Sequence, residues 1–409
     1  MGGGLLQLLA VGVQDIYIIG NPQITFFKTI FKKHTHFAIE ATQQSIDGRP
    51  DFGQQIEVTI DRKGDLIKDI ILEILLPALP TGYFWTNGIG NVLVQQVDLE
   101  IGGQLIDRHY SEWLDIWNQL TINASKIGSY NAMVCNKSVT GTITNATLPL
   151  RLYVPMCFWF NKDYATALPL IALQYHAVVL KITLRPFNSC YRYDTTINNT
   201  NGALLDSSVY RIQEFLVWVD YILLDMEERR KFAQTSHEYL IEQVQFAGDD
   251  FISKSGNSIS KILNFNHPVK ELYWVHVAND YEQANINSGN QQLNYSLPNE
   301  IETFSKCVLQ LNGVERFQKR NANYFRLVQN YQFHSRYSDK NIYSYSFAIY
   351  PEKIQPSGSC NFSKFANINL YLDYFNINHS QNDMILKVFC VNYNILRIVS
   401  GMGGLAFSN

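Results

Sequence analysis

A chain of 409 residues with 46% hydrophobic and 13% aromatic content and only 17% charge is too long for one ordinary core and too apolar to stay disordered, so two domains are expected. Its net charge of −3 gives no electrostatic grip on phosphates, and direct contact with nucleic acid is not expected. The six cysteines, Cys135, Cys157, Cys190, Cys307, Cys360 and Cys390, have neither zinc-knuckle nor redox spacing and read as free thiols in a reducing compartment.

In chain order, residues 1–25 form an apolar arm interrupted by Gln7, Gln14 and Asp15, a poor secretory signal and too short to span a bilayer. Leu6 stands where a myristoylation motif needs Ser or Thr. The arm is expected to dock on a partner surface, with an interfacial membrane contact as the alternative. Lys28, Lys32, Lys33 and His34 read as a solvated basic face. His34 and His36 lack an acidic or cysteine partner at metal-ligand spacing and read as strand-entry residues.

Strands are predicted at Phe37–Ile46, Gln54–Asp61 and Lys68–Leu76, the last ended by Pro77 and Pro80, because proline cannot donate to a ladder. In Val97–Tyr110 the apolar Val97, Leu99 and Ile101 alternate with Asp98 and Glu100, the period of a strand with one buried face. Gly102-Gly103 then supplies two positive-φ residues for a tight hairpin. A two-residue loop sets Leu99 opposite Ile106 and Asp98 opposite Asp107, a like-charge pair costing ~0.2–1 kcal/mol. A helix follows at His109–Leu120 with Trp113, Leu114 and Trp117 on one face, then a polar loop at Leu120–Pro149. Further strands are expected at Leu150–Trp159, Ile171–Arg185 and Val209–Asp225, with a polar loop at Asn188–Ser208 before the last.

After a charged helical connector (226–236) the pattern restarts. Glu40 and Lys68 are answered 202 positions later by Glu242 and Lys270. The hairpin is answered at 210 by CVLQLNGVERF (Cys307–Phe317), where Asn312-Gly313 is the strongest short hairpin signal. Tyr343–Tyr350, Asn367–Phe375 and Met384–Arg397 complete the second set. Each half thus carries eight strands of even length with one tight hairpin between the fourth and fifth. The fold expected is all-β: two tandem eight-stranded antiparallel jelly-roll sandwiches, 26–225 and 237–400, with short helices in loops and a flexible tail at 401–409.

Chemistry-bearing motifs are sparse. Gly102-Gly103-Gln104 is a turn, since it recurs as Asn312-Gly313-Val314. Gly401-Met402-Gly403-Gly404 lacks the Lys-Ser/Thr of a phosphate loop. Asp98 and Glu100 share a strand face as glycosidase carboxylates do, yet nothing supplies a cleft. No catalytic residue, metal site or cofactor is expected. The rival from another class is a double-β-sandwich carbohydrate-active enzyme or a glycan-binding attachment protein.

Several segments carry a family likeness: GGGLLQLLAVGVQDIYIIGNPQITFFK at the start, VDLEIGGQLIDRHYSEW, LPLIALQYHAVVLKI, HEYLIEQVQF, QPSGSCNFS and the closing NYNILRIVSGMGGLAFSN. Through these, nearly end to end, the chain resembles the double jelly-roll major capsid proteins of large icosahedral eukaryotic DNA viruses. The resemblance implies homotrimers that form pseudo-hexagonal capsomers, which contact neighbouring capsomers and minor, cement and penton proteins in the outer shell of a virion assembled in the host cytoplasm. It implies an arm directed underneath, towards partners or an internal viral membrane. It also implies an exposed top made of the loops Pro77–Asn91, Leu120–Pro149 and Pro186–Ser208. Of seven sequons, Asn123, Asn136, Asn145 and Asn198 fall in those loops and are the candidates for glycosylation.

Overall fold

Sixteen principal strands arrange themselves identically in the two halves of the chain. The structure, a computed structural model, describes residues 2–136, 146–193, 204–282, 290–296, 302–374 and 383–408. In the first half these are β1 (Phe37–Gln43), β2 (Gln55–Thr59), β3 (Leu66–Leu76), β4 (Val94–Ile101), β5 (Gln104–Tyr110), β6 (Leu150–Pro155), β7 (Val178–Leu184) and β8 (Glu214–Leu224). In the second they are β9 (His237–Ile252), β10 (Ser258–Ile262), β11 (Pro268–Ala278), β12 (Lys306–Leu311), β13 (Val314–Glu315), β14 (Tyr343–Ser346), β15 (Ile368–Asp373) and β16 (Met384–Val399). The sheets run β1-β8-β3-β6 and β2-β7-β4-β5 in the first half, and β9-β16-β11-β14 and β10-β15-β12-β13 in the second. Each set is two antiparallel four-stranded sheets wound as a jelly roll, one order used twice.

Alternation makes the sandwich. Along β7, Val178, Leu180, Ile182 and Leu184 are buried while the residues between them are half-exposed, so one face goes to the core. The second roll departs from this in one sheet. Every residue of β11 after Pro268 is buried, as is Leu386–Asn394 of β16, so that sheet is covered on both faces. The cover is the first roll, and the two rolls share one continuous hydrophobic cluster. Phe37–Asn409 is accordingly one compact unit, and Met1–His36 is another. Residues 26–36, assigned to the first roll from sequence, therefore belong with the terminal segment. That segment carries helices Gly3–Leu9 and Ile16–Ile19, and its Leu8, Leu9, Tyr17, Phe26, Phe27 and Phe31 are exposed.

The first hairpin differs from expectation by one residue. Ile101 pairs with Gln104 and Glu100 with Leu105, but Leu99 pairs with Asp107 and Asp98 with Arg108, because Ile106 is inserted as a bulge. The expected like-charge pair Asp98–Asp107 does not form. Arg108 instead donates to both Asp98 oxygens, Nε to Oδ1 at 2.8 Å and Nη2 to Oδ2 at 2.7 Å. Replacing a repulsion by a forked ion pair is the local reason the bulge is favoured.

Strand lengths are uneven, from the two residues of β13 to the sixteen of β9 and β16. β13 is short because the return strand breaks after Glu315 and rejoins β12 only at Arg320–Asn321. The strand expected at Ile171–Arg185 begins at Val178, and Leu170–Ala172 is a 3-10 turn. The closing residues are no loose tail: Met402–Leu405 forms β17, paired antiparallel with β16 through a turn at Ser400-Gly401, both at positive φ.

Candidate functional site

The turn that duplicates also fastens. Gly102 and Gly103 have φ of 59° and 80°, Asn312 and Gly313 49° and 81°. In both turns the first residue's N–H donates to the carbonyl just before the neighbouring strand, Gly102 to Ala177 at 2.9 Å and Asn312 to Asn367 at 2.7 Å. Asn312 Oδ1 further accepts from the Ala366 and Asn367 amides at 2.9 and 3.0 Å. Beyond this the two tips differ. Gly103 and Gly313, the second residue of each turn, both have open space where a Cβ would stand, but at the first position, where the second turn carries Asn312, a Cβ on Gly102 would lie 2.3 Å from His176 Nδ1. That imidazole is held by β17, with Nδ1 2.9 Å from the Gly403 carbonyl and 3.2 Å from its amide. Gly403 has no side chain because Leu173 fills its place. Alanine at either turn glycine should cost about 1 kcal/mol for the positive φ. Gly102→Ala must in addition displace His176, so its urea midpoint should fall clearly below that of Gly313→Ala; equal midpoints would contradict the docking of β17 on this tip.

The bulge on the return strand reaches the second roll. Asp107 Oδ1 accepts from the Val244 amide at 2.9 Å, the Ile106 carbonyl accepts from Gln243 Nε2, and His109 Nε2 lies 2.8 Å from Asp107 Oδ2. Next along the chain comes helix α1 (Ser111–Thr121), in which Ser111 to Leu120 are all buried. A helix buried all round needs cover on both sides. Here one side is its own roll, and on the other Trp113 meets Tyr273 edge-on at 5.3 Å and lies 6.1 Å from Phe389.

Charges are buried at this junction, and they are paired. Lys387 of β16 lies 2.9 Å from Glu112, 2.9 Å from Glu282 and 3.6 Å from Asp249. Arg185 Nη2 stands 4.0 Å from Glu112 and donates to Ser111 Oγ at 2.8 Å. Burial opposes ionisation of Glu112, but Lys387 and Arg185 outweigh it and hold the carboxyl down at about 2. The same balance, burial against three carboxylates, raises the Lys387 ammonium above its usual range. Lys340 pairs with Asp115 at 2.6 Å, and Glu242 sits between Lys162 and Lys270. The arrangement locks two β-sandwiches together. It offers no nucleophile, acid–base pair or open cleft among the described residues.

The sequence-derived candidates are scattered. Asp98 is neutralised by Arg108, and Glu100 by Lys181 at 2.9 Å, so neither is a poised carboxylate. Asn123 is exposed, its Oδ1 accepting from the Ser125 amide and hydroxyl. Asn136 is corrected: it is 6% exposed and accepts from Asn87 Nδ2 at 3.1 Å, so the folded chain does not offer it for modification. Asn145 and Asn198 lie outside the described residues. Sequence reading missed the junction residues Asp107, Glu112, Asp115 and Lys387. The available signal was the run LYWVHVA in β11, apolar or aromatic but for His276, which has no alternating polar face to give to water.

Two like-ordered jelly rolls, joined face to helix through a buried interface, define a double jelly-roll protein. The family described as major capsid protein N-terminus matches residues 25–225, and that of the large eukaryotic DNA virus major capsid protein matches 228–404. Over 100% of both chains the sequence is 43% identical to the major capsid protein of Pyramimonas orientalis virus. It is 39% identical, again over 100% of both chains, to that of Paramecium bursaria Chlorella virus 1. The crystal structure of PBCV-1 VP54 superposes with a TM-score of 0.79 at 35% identity, covering 94% of this chain and 100% of that one. The chain belongs to the major capsid protein family of large eukaryotic DNA viruses. It is a structural component of the virion capsid rather than an enzyme.

Proposed function

We propose that three copies of this chain associate into a pseudo-hexagonal capsomer and that such capsomers tile the outer icosahedral shell of a large double-stranded DNA virus, assembled in the host cytoplasm. The observation that carries this reading is the junction itself. The bulge and α1 of one roll pack on a sheet of the next, a contact between different surfaces of like-built units. A heterologous contact repeats until it closes, and six rolls from three chains make such a ring. Neighbouring capsomers and minor, cement and penton proteins are then the partners of the outer walls. The apolar segment Met1–His36, with Leu8, Tyr17, Phe26 and Phe31 exposed, is suited to a partner surface or an internal membrane. Of the four glycosylation candidates, Asn123 is the described one that solvent reaches.

Light scattering on the purified full chain should report three times the 47.0 kDa chain mass, and electron microscopy should show hexagonal outlines. A monomer at micromolar concentration would overturn the reading. Deleting residues 2–20 should leave trimers intact and weaken shell assembly, whereas loss of trimers would place the arm wrongly.

A further inference from the structure

We propose that the first roll carries a binding pocket for a neutral pyranose sugar, set between the β1–β2 and β7–β8 connections at the end of the sandwich opposite its hairpin.

Strand pairing puts these connections together. Ile101, next to the Gly102-Gly103 turn, pairs with Val178, and Val94 pairs with Leu184, so β7 leaves its sheet at the end away from that turn. Gln55 pairs with Thr183, which brings the β1–β2 connection to the same end. Backbone bonds fasten the two: the Gly53 amide donates to the Arg185 carbonyl at 3.1 Å, and the Leu184 amide to the Gln54 carbonyl at 2.9 Å. Where the chain returns towards β8, the Ile212 amide donates to Asp51 Oδ1 at 3.3 Å. Between these segments lies an open cavity of about 400 Å³, within the ~300–1,000 Å³ of small-molecule sites.

A pyranose presents hydroxyls around its rim and C–H groups on its face, so its site combines hydrogen-bonding side chains with an apolar plate. Here the plate is Phe52 and the exposed Pro186. Phe52 is half-buried, with Trp85 stacked at 6.1 Å and Phe187 edge-on at 5.2 Å. Phe187 stacks in turn on Tyr210 at 5.7 Å. A ring fixed among other rings needs little further ordering when a ligand arrives.

The polar wall is assembled but not saturated. Arg211 Nε donates to the Ser208 carbonyl at 3.1 Å and stands 3.9 Å from Asp51 Oδ2. The Nη groups of Arg211 and the Ser207 hydroxyl have no hydrogen bond among the described residues. Asn188 Oδ1 is buried and has no partner, although its backbone carbonyl accepts from Asn290 Nδ2 at 2.7 Å. A buried oxygen left unpaired lowers stability, and a ligand hydroxyl is a group that supplies the missing donor.

Charge selects a neutral ligand. Arg211 and Asp51 stand together, so an anion drawn to the guanidinium also meets the carboxylate, and a cation meets the reverse. A hydroxyl donates and accepts, and so serves both. A host-surface polysaccharide and a glycan on a neighbouring capsid chain offer the same chemistry.

Saturation-transfer NMR on the full chain made glycan-free in bacteria tests this, with the methyl glycosides of glucose, galactose and mannose as probes and methyl glucuronide as the charged control. Transfer should reach the ring C–H protons of a neutral glycoside. Asn188→Ala and Arg211→Ala should each weaken binding by about tenfold. The urea midpoint should be unchanged in Arg211→Ala and unchanged or higher in Asn188→Ala, which removes an oxygen that the fold does not use. Displacement of the bound glycoside by host-cell polysaccharide, or by glycans released from virions, identifies the source. No transfer to any neutral glycoside, tighter binding of the glucuronide, variants that bind like the wild type, or displacement by neither polymer would overturn the proposal. The pocket lies within one chain, so its failure would leave the capsomer reading standing.

Discussion

Lys387→Met should destabilise the compact unit by about 3–5 kcal/mol, the range seen when one partner is removed from a buried ion pair. The side chain is close in volume, so packing changes little and the loss is electrostatic. Three carboxylates, Glu112, Glu282 and Asp249, now converge on this one ammonium. Without it Glu112 retains Arg185 at 4.0 Å, and the others are left with like-charge neighbours. A guanidinium titration at neutral pH measures the shift. The pH dependence checks the cause. Glu112 is held at about 2, below the ordinary 4.5, so its contribution is present above pH ~4.5 and is lost as pH falls towards 2. In Lys387→Met that acid limb should flatten, because the main interaction depressing the carboxyl is gone. An unchanged midpoint and acid limb would mean that the junction is held by its aromatic packing alone.

The second large effect is expected at high pH. His334 has a fully buried side chain, with Nε2 2.9 Å from Glu271 and Nδ1 3.2 Å from Glu352. Tyr273 donates its hydroxyl to Glu271 at 2.6 Å, and Ser335 donates its amide to Glu352 at 2.8 Å. Burial alone would push the imidazole down, but the two carboxylates outweigh it and raise it to about 9. A raised folded-state value stabilises below the unfolded value of ~6.5, and that stability is lost as pH rises through about 9. At ~1.4 kcal/mol per unit the span is worth about 3 kcal/mol. The unfolding free energy of the wild type should therefore decline from pH 6.5 to 9. His334→Gln should be less stable at pH 6 and flat across that window. A variant with the wild-type slope would assign the alkaline loss to other groups.

Both predictions fall on residues that no sequence motif marked, and the reason is physical. Alternation and turn chemistry act over a few residues. β7 could therefore be read from its period of two, and the hairpins from Gly102-Gly103 and Asn312-Gly313. Recurrence at offsets of 202 and 210 then implied two similar sandwiches, because equal patterns bury equal faces. The chain's likeness to capsid proteins was legible for the same reason, being carried by ordered local segments.

Where the sequence read incorrectly, contacts distant in the chain had decided. The bulge at Ile106 exchanges an Asp98–Asp107 repulsion for an Asp98–Arg108 pair, and also places Asp107 against the Val244 amide, 137 residues further on. The glycines after Ser400 resemble a loose tail until Tyr175 is seen to occupy the space a side chain on Gly401 would take, and Leu173 the space of one on Gly403. Asn136 satisfies a sequon and yet is buried against Asn87. Sequence alone determined that this chain folds as a duplicated all-β sandwich, since local periodicity and turns suffice for that. Only the tertiary structure decided which of two equivalent sheets is already covered, because that depends on one roll's charges and aromatic side chains meeting the other's across the fold.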